Sequence, residues 1–197
     1  MNEDLTVITS AIDNSLDFVG NHLNGLIHTV YTVPDYMVDH TKHTNTSDWC
    51  HWKPLKAEIS EADFENYEKQ TGIKLPASYK TFLGYKFFID LNFGHEVIFF
   101  KHTKNWINEN LESINQWGTE FTTDKGLLPF ADYSDWGLIC FDANIPYEEN
   151  EYNICYIDHE DMDTPKEYVH GRFAFIDLIK EMNRSLEEWK QGKLNGG

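Results

Sequence analysis

Apolar residues recur every three or four positions in the first part of the chain, between Leu5 and Ile27. This spacing predicts one amphipathic helix. Gly20 and Gly25 weaken its second half, so we expect the helix to end early. Such an apolar stripe normally packs on its own domain, and the rarer alternative is docking on a partner or on a second copy of the chain.

The stretch from residue 59 to residue 83 predicts two short helices joined by a rigid corner. Ser60 followed by an acid at Asp63 is typical of a capped helix start. Gly72 can end the first helix, and Leu75-Pro76 favours an extended step before the second. The apolar positions of the two helices are Phe64, Tyr67, Tyr79, Phe82 and Leu83.

Two further helices are predicted later in the chain. The segment from Trp106 to Trp117 has helical apolar spacing and is followed by Gly118. A closing helix begins near Phe173 and continues through Trp189. The tail 191–197 has too little apolar surface to fold, so we expect it to be flexible.

Strand patterns lie between these helices. Residues 95–101 predict a strand buried on both faces, because four apolar residues follow one another there. Further on, the apolar runs 127–131, 136–142 and 151–159 are separated by polar turns at 132–135 and 144–150. Three such runs predict an antiparallel meander, with Trp136 as a core residue. The fold class is therefore α+β: a mainly antiparallel central sheet flanked by helices, with an extra N-terminal helix.

Length and composition fit one domain. A chain of 197 residues that is 41% hydrophobic can bury roughly 70% of its unfolded surface. Its three cysteines, Cys50, Cys140 and Cys155, have no paired spacing, and the last two lie in apolar runs that indicate buried free thiols. Sparse cysteines, an acidic N-terminus and the lack of a long apolar segment predict a cytoplasmic protein.

The net charge of the chain limits the classes of partner that it can bind. With 16 basic and 33 acidic residues the formal net charge is −17. Phosphate backbones and anionic membranes would be repelled, which argues against direct binding of nucleic acid or membranes. A basic protein would be attracted. The charge can equally serve solubility alone.

A search for chemistry gives no strong motif. His40, His43, Cys50 and His51 are zinc-compatible residue types, but their spacing matches no standard site, so we predict no metal there. Residues 158–163 mix a histidine with carboxylates. This segment can be a solvated turn, a contact for a basic partner or, least favoured, a catalytic cluster. We predict no catalytic residue and no cofactor.

Acidic and aromatic residues gather near both ends of the strand 151–159. The two acidic turns would lie about 25 Å apart at the usual rise per residue. They would form two acidic edges, or one concave acidic face if the sheet curls. Exposed aromatic side chains among acids are typical of protein interfaces. The candidate partner-binding residues are Tyr133, Asp135, Tyr147, Glu148, Glu149, Glu151, Tyr152, Asp158, Glu160, Asp161 and Asp163.

Several motifs in order resemble one known family. They are a Trp before a Pro-Leu pair (52–55), the helix-Gly-Leu-Pro-Ser-Tyr-Lys-Phe-Leu order of 59–83, Leu-Pro-Phe-Ala at 128–131, a strand ending in Phe-Asp, a strand ending in Asp-His-Glu, and a Phe-rich closing helix. This order resembles the SUKH superfamily, whose members include proteins related to the yeast cell-wall assembly regulator. Asn92-Phe93-Gly94 departs from the Asn-Gly loop that is common in the family. The resemblance covers residues 49–190 and leaves 1–48 as an extension and 191–197 as a tail.

The resemblance implies a function. Many bacterial SUKH proteins are immunity proteins, so we expect a non-catalytic protein that binds the basic C-terminal domain of a cognate toxin, a nuclease by the logic of charge. An alternative is a regulatory scaffold that binds a cellular protein, as fungal relatives are thought to do. A third is a hydrolase with its site at 158–163. The oligomeric state is left open.

Overall fold

Helices and a central sheet alternate along the part of the chain that the computed structural model describes, namely residues 3–22, 28–29, 32–42, 50–91 and 96–195. The helices carry most of the predicted apolar stripes. They are α1 (Glu3–His22), α2 (Glu61–Thr71), α3 (Ala77–Leu83), α4 (Trp106–Trp117) and α5 (Phe175–Asn195).

The strands form one five-stranded sheet and two small pairs. The sheet strands are β5 (Val97–Phe99), β6 (Leu127–Tyr133), β7 (Gly137–Glu148), β8 (Glu151–Asp158) and β9 (Asp161–Glu167), and the small strands are β1 (His28–Thr29), β2 (Cys50–His51), β3 (Leu55–Lys56) and β4 (Lys86–Phe87). The sheet is antiparallel throughout, in the order β5-β6-β7-β8-β9. The two small pairs, β1 with β2 and β3 with β4, are also antiparallel and lie outside it. The predicted α+β fold with a flanked antiparallel sheet and an N-terminal helix is confirmed.

The predicted corner between α2 and α3 is also confirmed. Ser60 and Asp63 form a reciprocal capping box, and Gly72 ends α2 in the left-handed conformation at φ 73°. Buried Glu68 then accepts a hydrogen bond from the Leu75 N–H at 3.0 Å and pairs with Lys74 and Lys80. The corner is therefore held by a carboxylate as well as by its proline.

Both faces of the sheet are covered. One face packs against α3 and α5 through stacked, tilted and edge-to-face aromatic rings, among them Phe130, Phe141 and Phe175. The other face has a smaller cluster that includes Leu138, Cys140 and Cys155, with Trp117 at the end of α4 packed against it. Cys140 and Cys155 stand opposite each other in β7 and β8 and are buried free thiols, as predicted.

Helix α1 packs on its own domain, against α3 and α5. Ile8 and Ile12 are fully buried. Asp13 accepts a 2.7 Å hydrogen bond from the Tyr85 hydroxyl, and Phe18 meets Trp189 of α5 edge to face. The apolar stripe thus has the usual role that its pattern favours.

Four boundaries differ from the sequence prediction. β5 is a three-residue edge strand with Ile98 partly exposed, so it is not buried on both faces. β7 continues through residues predicted as a turn, since it pairs with β8 across irregular register on either side of Pro146. Residues 161–167 form the unpredicted strand β9. Helix α5 extends through Asn195 and so includes part of the expected tail.

Candidate partner-binding surface

Two hairpin turns meet at one end of the sheet. The turn 134–136 joins β6 to β7, and the turn 159–160 joins β8 to β9. The His159 N–H donates a 2.9 Å hydrogen bond to the Trp136 carbonyl, and His159 Nδ1 lies 2.9 Å from the same oxygen. These contacts fix the two turns side by side. We call residues 134–136 together with 158–161 the Trp136 end of the sheet.

Trp136 itself is 58% exposed, so the prediction that it is a core residue is wrong. It lies in the turn, and β7 begins only at Gly137. Ser134 adopts φ 49° to make this turn, and its N–H is bound by the Glu96 carbonyl at 2.8 Å. The turn therefore holds an indole ring out in solvent, where such a ring can act as an interface anchor.

Acidic residues lie along the same two turns as Trp136. Asp135, Glu160 and Asp161 are exposed. Asp158 pairs with Lys166 at 2.7 Å and accepts the Glu160 N–H at 2.9 Å. The hydrogen bond from Lys166 holds the pKa of Asp158 below its ordinary value. The Trp136 end is thus an acidic surface with a protruding aromatic residue.

A cluster of tyrosines lies behind the first turn. Tyr133 is half-buried and packs edge to face on Tyr156 and Tyr168, at centroid distances of 5.5 and 5.7 Å. Burial raises the pKa of Tyr133, with a further contribution from the carboxylate of Glu96. The candidate Tyr133 therefore supports the turn with its ring and is only partly available to a partner.

At the opposite end of β8, Glu151 is committed to an internal contact. Its two carboxylate oxygens accept hydrogen bonds from the Ser78 N–H at 2.8 Å and the Ser78 hydroxyl at 2.7 Å. The Asn150 carbonyl accepts the N–H of Ala77. Glu151 therefore caps the first turn of α3, where a carboxylate is favourable, and ties the β7–β8 turn to that helix.

The other candidates at that end have mixed surroundings. The guanidinium of Arg172 lies 4.8 Å from the Tyr147 ring centroid. Tyr152 is half-buried, while Glu148 and Glu149 are exposed. Asp163 lies instead near the start of β9, toward the Trp136 end, and pairs with Lys125 at 3.0 Å. The structure thus separates the candidate residues into two groups, one at each end of β8, as the spacing predicted, and the Trp136 end is the one with an exposed large aromatic side chain.

Metal-compatible residues do not gather in the described part of the chain, where no three His, Cys, Asp or Glu side chains lie close enough to hold an ion. His40 is exposed, His51 is buried and Cys50 is half-buried. His43 lies outside the described residues, as does the Asn92-Phe93-Gly94 segment. None of the described helices is long and apolar enough to cross a membrane.

One functional candidate was missed by the sequence analysis, which placed Asp132 in a polar turn. Asp132 belongs to β6 and lies opposite Leu138 of β7 and Ile98 of β5. It borders a small cavity on the sheet face that carries Leu138. Burial raises its pKa from 3.8 to about 6. The sequence feature that could have indicated this partial burial is the position of Asp132 directly after the apolar run 127–131.

Comparison with known proteins accounts for this architecture. The sequence model of the SMI1 / KNR4 family (SUKH-1) matches residues 58–191, which contain the whole five-stranded sheet, α2, α3, α4 and most of α5. Helix α1 lies outside the match. No curated protein sequence matches the chain. The family is one whose members are commonly immunity proteins. Since the match spans more than half of its length, the chain belongs to the SMI1 / KNR4 family (SUKH-1).

Proposed function

We propose that this protein is a non-catalytic immunity protein that binds a cognate toxin domain in the cytoplasm and covers its active site or substrate groove. Membership of a family in which immunity proteins are common supports the proposal. The net charge of −17 supports a basic partner. A toxin that attacks nucleic acid has a phosphate-binding surface of that kind, so the proposed partner is a nuclease.

The observation that carries the proposal is the exposure of Trp136 among acids. A large apolar side chain that is 58% exposed on a hydrogen-bonded hairpin turn gains by burial against a partner, because removing apolar surface from water is favourable. Aromatic anchors inside a polar rim are typical of energetically dominant interface residues. The acids around this one would form the rim and align with basic groups of the toxin.

The Trp136 end is a better candidate surface than the opposite end of β8. At the opposite end Glu151 is occupied by Ser78 and Tyr147 is covered by Arg172. At the Trp136 end Asp135, Glu160 and Asp161 are all exposed. We therefore assign the principal contact to Trp136 and these three acids.

The test is co-expression with the toxin domain encoded by the adjacent gene, scored by growth rescue and by co-purification. Trp136→Ala should weaken binding by about 10- to 100-fold, which corresponds to roughly 1.4 to 2.8 kcal/mol. Ile145→Ala is the matched control, because Ile145 is 52% exposed but lies toward the other end of β7. It should bind like the wild type.

The opposite pattern, with Ile145→Ala weakened and Trp136→Ala unchanged, would move the contact to the other end of β8. A neighbouring gene without a toxin domain, together with capture of a cellular protein that requires Trp136, would favour the regulatory scaffold instead. In either case, the comparison of Trp136→Ala with Ile145→Ala shows which end of the sheet contacts the partner.

A further inference from the structure

A small cavity of about 160 Å³ adjoins the Trp136 end on the sheet face covered by α4. Its wall is mixed: apolar residues, including Ile98 and Phe100, form one part of it, and Ser113 of α4 and Lys101 are also present. Asp132 also lines the cavity, and the sheet register places its side chain on the same face as Leu138. The volume is close to that of an engineered cavity of about 150 Å³ that holds benzene, so a planar group of similar size would fit.

The register of the sheet places this cavity beside the proposed partner surface. Asp132 precedes Tyr133 in β6. Tyr133 pairs with Gly137, the first residue of β7, which directly follows Trp136. At the usual rise of about 3.3 Å per residue, Asp132 lies within about 10 Å of the turn along β6. A partner that covers Trp136 would therefore reach the cavity with a side chain of ordinary length.

The backbone of Asp132 pairs with β5 and β7, but its carboxylate has no hydrogen-bonding or ionic partner within the part of the chain that the structure describes. The nearby cation, Lys101, is paired with Glu109 at 2.8 Å, and Glu109 also accepts a hydrogen bond from the Thr103 hydroxyl. Burial is the sole cause of the raised pKa of Asp132, which agrees with the absence of a close cation.

A carboxylate in such a place is unfavourable unless a cation pairs with it. A guanidinium suits the cavity better than an ammonium. It is planar and weakly hydrated, donates two parallel hydrogen bonds to a carboxylate and has a stem that packs on apolar walls. An ammonium would lose a tighter hydration shell on entering the same space.

We propose that the Asp132 cavity receives an arginine side chain of the basic protein that docks on the Trp136 end. This inference rests on the proposed function and deepens it, because it assigns one specific anchor to the partner. The apolar side chains of the wall pack on the arginine stem, and the carboxylate of Asp132 accepts hydrogen bonds from the guanidinium.

The first experiment uses a small probe and does not need the toxin. The isotope-labelled protein is titrated at pH 7.5 with N-acetylarginine methylamide while the side-chain carboxyl carbons and the backbone amides are followed by NMR. We expect a saturable change at the Asp132 carboxyl and at the amides of Ile98 and Phe100, half complete in the millimolar range. N-acetylcitrulline methylamide, which has the same shape without the charge, should produce no saturable change.

Asp132→Asn should abolish the saturable change, and Asp135→Asn, which alters an exposed acid of the adjacent turn, should leave it intact. Dispersed amide spectra of both variants check that they are folded. A change that persists in Asp132→Asn, or that spreads evenly over the exposed acids, would overturn the inference.

The second experiment separates this inference from the proposed function. With the co-expressed toxin domain, Asp132→Asn should weaken binding at least tenfold, whereas Asp124→Asn, which alters an exposed acid outside both the cavity and the Trp136 end, should weaken it by less than threefold. If the wild-type protein binds the toxin domain and Asp132→Asn binds it equally well, the arginine anchor is wrong and the immunity role stands. If the wild-type protein binds no toxin domain, the proposed function itself fails.

Discussion

Asp132 is a single residue at which stability and recognition conflict. An ionised carboxylate that is partly removed from water without a partner disfavours the folded state. A neutral side chain of the same shape would not have this effect, and groups with perturbed ionisation are typical of functional sites. The unpaired carboxylate of Asp132 therefore leads to a prediction about the stability of the protein that does not depend on any partner.

Replacing Asp132 by Asn should stabilise the protein in a manner that depends on pH. The unfolded carboxyl loses its proton near pH 3.8, and the folded one keeps it to about pH 6. Between these values the folded state binds more protons, so wild-type stability falls as the pH rises through this window. Above pH 7 the free energy of unfolding of Asp132→Asn should exceed that of the wild type by on the order of 1 to 3 kcal/mol, and near pH 3.5 the two should converge.

Urea unfolding at intervals from pH 3.5 to pH 8 measures this difference. Asp135→Asn serves as the control and should follow the wild-type curve within about 0.5 kcal/mol, since Asp135 is exposed in a turn. A difference between Asp132→Asn and the wild type that stays constant across the pH range would show that the carboxylate is not desolvated.

Gly137 is the second residue on which the Trp136 end depends. Its φ is 151°, and a Cβ built on it would lie 1.8 Å from the Ile157 carbonyl oxygen. Gly137→Ala should therefore force β7 away from β8 and lower the free energy of unfolding by about 3 kcal/mol or more. Gly72→Ala is the matched control: its φ of 73° is also positive, but nothing lies within 4 Å of the added Cβ.

The control should cost only about 1 kcal/mol, from backbone strain alone. Chemical denaturation of both variants gives the comparison. Equal losses would mean that strain, and not the close approach of β8, explains the glycine at residue 137.

At the level of secondary-structure elements, α1 lies outside the residues that match the family but contributes side chains to the core of the domain. It lies before the matched residues 58–191, yet Ile8, Ala11 and Ile12 are buried against the rest of the molecule. Its contacts with α5 and α3 also include polar ones, such as the Asn14 to Asn183 hydrogen bond at 3.2 Å. The helix therefore stabilises the same domain that the family match defines.

Ile12→Ala should lower the free energy of unfolding by about 2 to 4 kcal/mol, because it removes buried methylene groups and leaves a cavity. Leu5→Ala is the matched control on the same helix, where Leu5 is 41% exposed, and it should cost less than about 1 kcal/mol. Thermal and urea unfolding of both variants test the prediction. Equal, small losses would mean that α1 is only loosely attached.

The helices were predictable from the sequence, because their ends are fixed by local chemistry. The Ser60 cap, Gly72 and Gly118 act within a few residues, so the bounds of α2 and α4 follow from short motifs. Strand β9 was not predictable, since its residues are polar and it is held at the sheet edge by pairing with β8.

The candidate surface was predictable only in part. The acids of the two ends are visible in the sequence, but the exposure of Trp136 and the partial burial of Asp132 depend on where a turn starts. A shift of one residue reverses which side chains face the core. The capping role of Glu151 required the contact with Ser78, which lies 73 positions away. Such long-range contacts have no local signal in the sequence.

At the scale of the whole molecule, charge and shape act together. The excess of acids, 33 against 16 basic residues, produces a negative field that attracts a basic partner from a distance. Contact specificity then depends on a few groups at the Trp136 end. Charges act mainly on the association rate, whereas a buried anchor acts mainly on the dissociation rate.

This division predicts how salt should affect the complex with the toxin domain. Raising the salt concentration from 0.05 to 0.5 M should lower the association rate by at least about tenfold, because the screening length shrinks from more than 10 Å to less than 8 Å. The triple variant Asp135→Asn, Glu160→Gln, Asp161→Asn should associate more slowly at low salt and show a smaller dependence on salt, while Trp136→Ala should mainly dissociate faster. Stopped-flow association and surface-based dissociation measure the two rates separately.

The double variant Glu148→Gln, Glu149→Gln, which neutralises acids at the opposite end of β8, should retain most of the wild-type association rate. If both sets of acids contribute equally per charge removed, attraction comes from the overall charge alone and the Trp136 end has no special part in it.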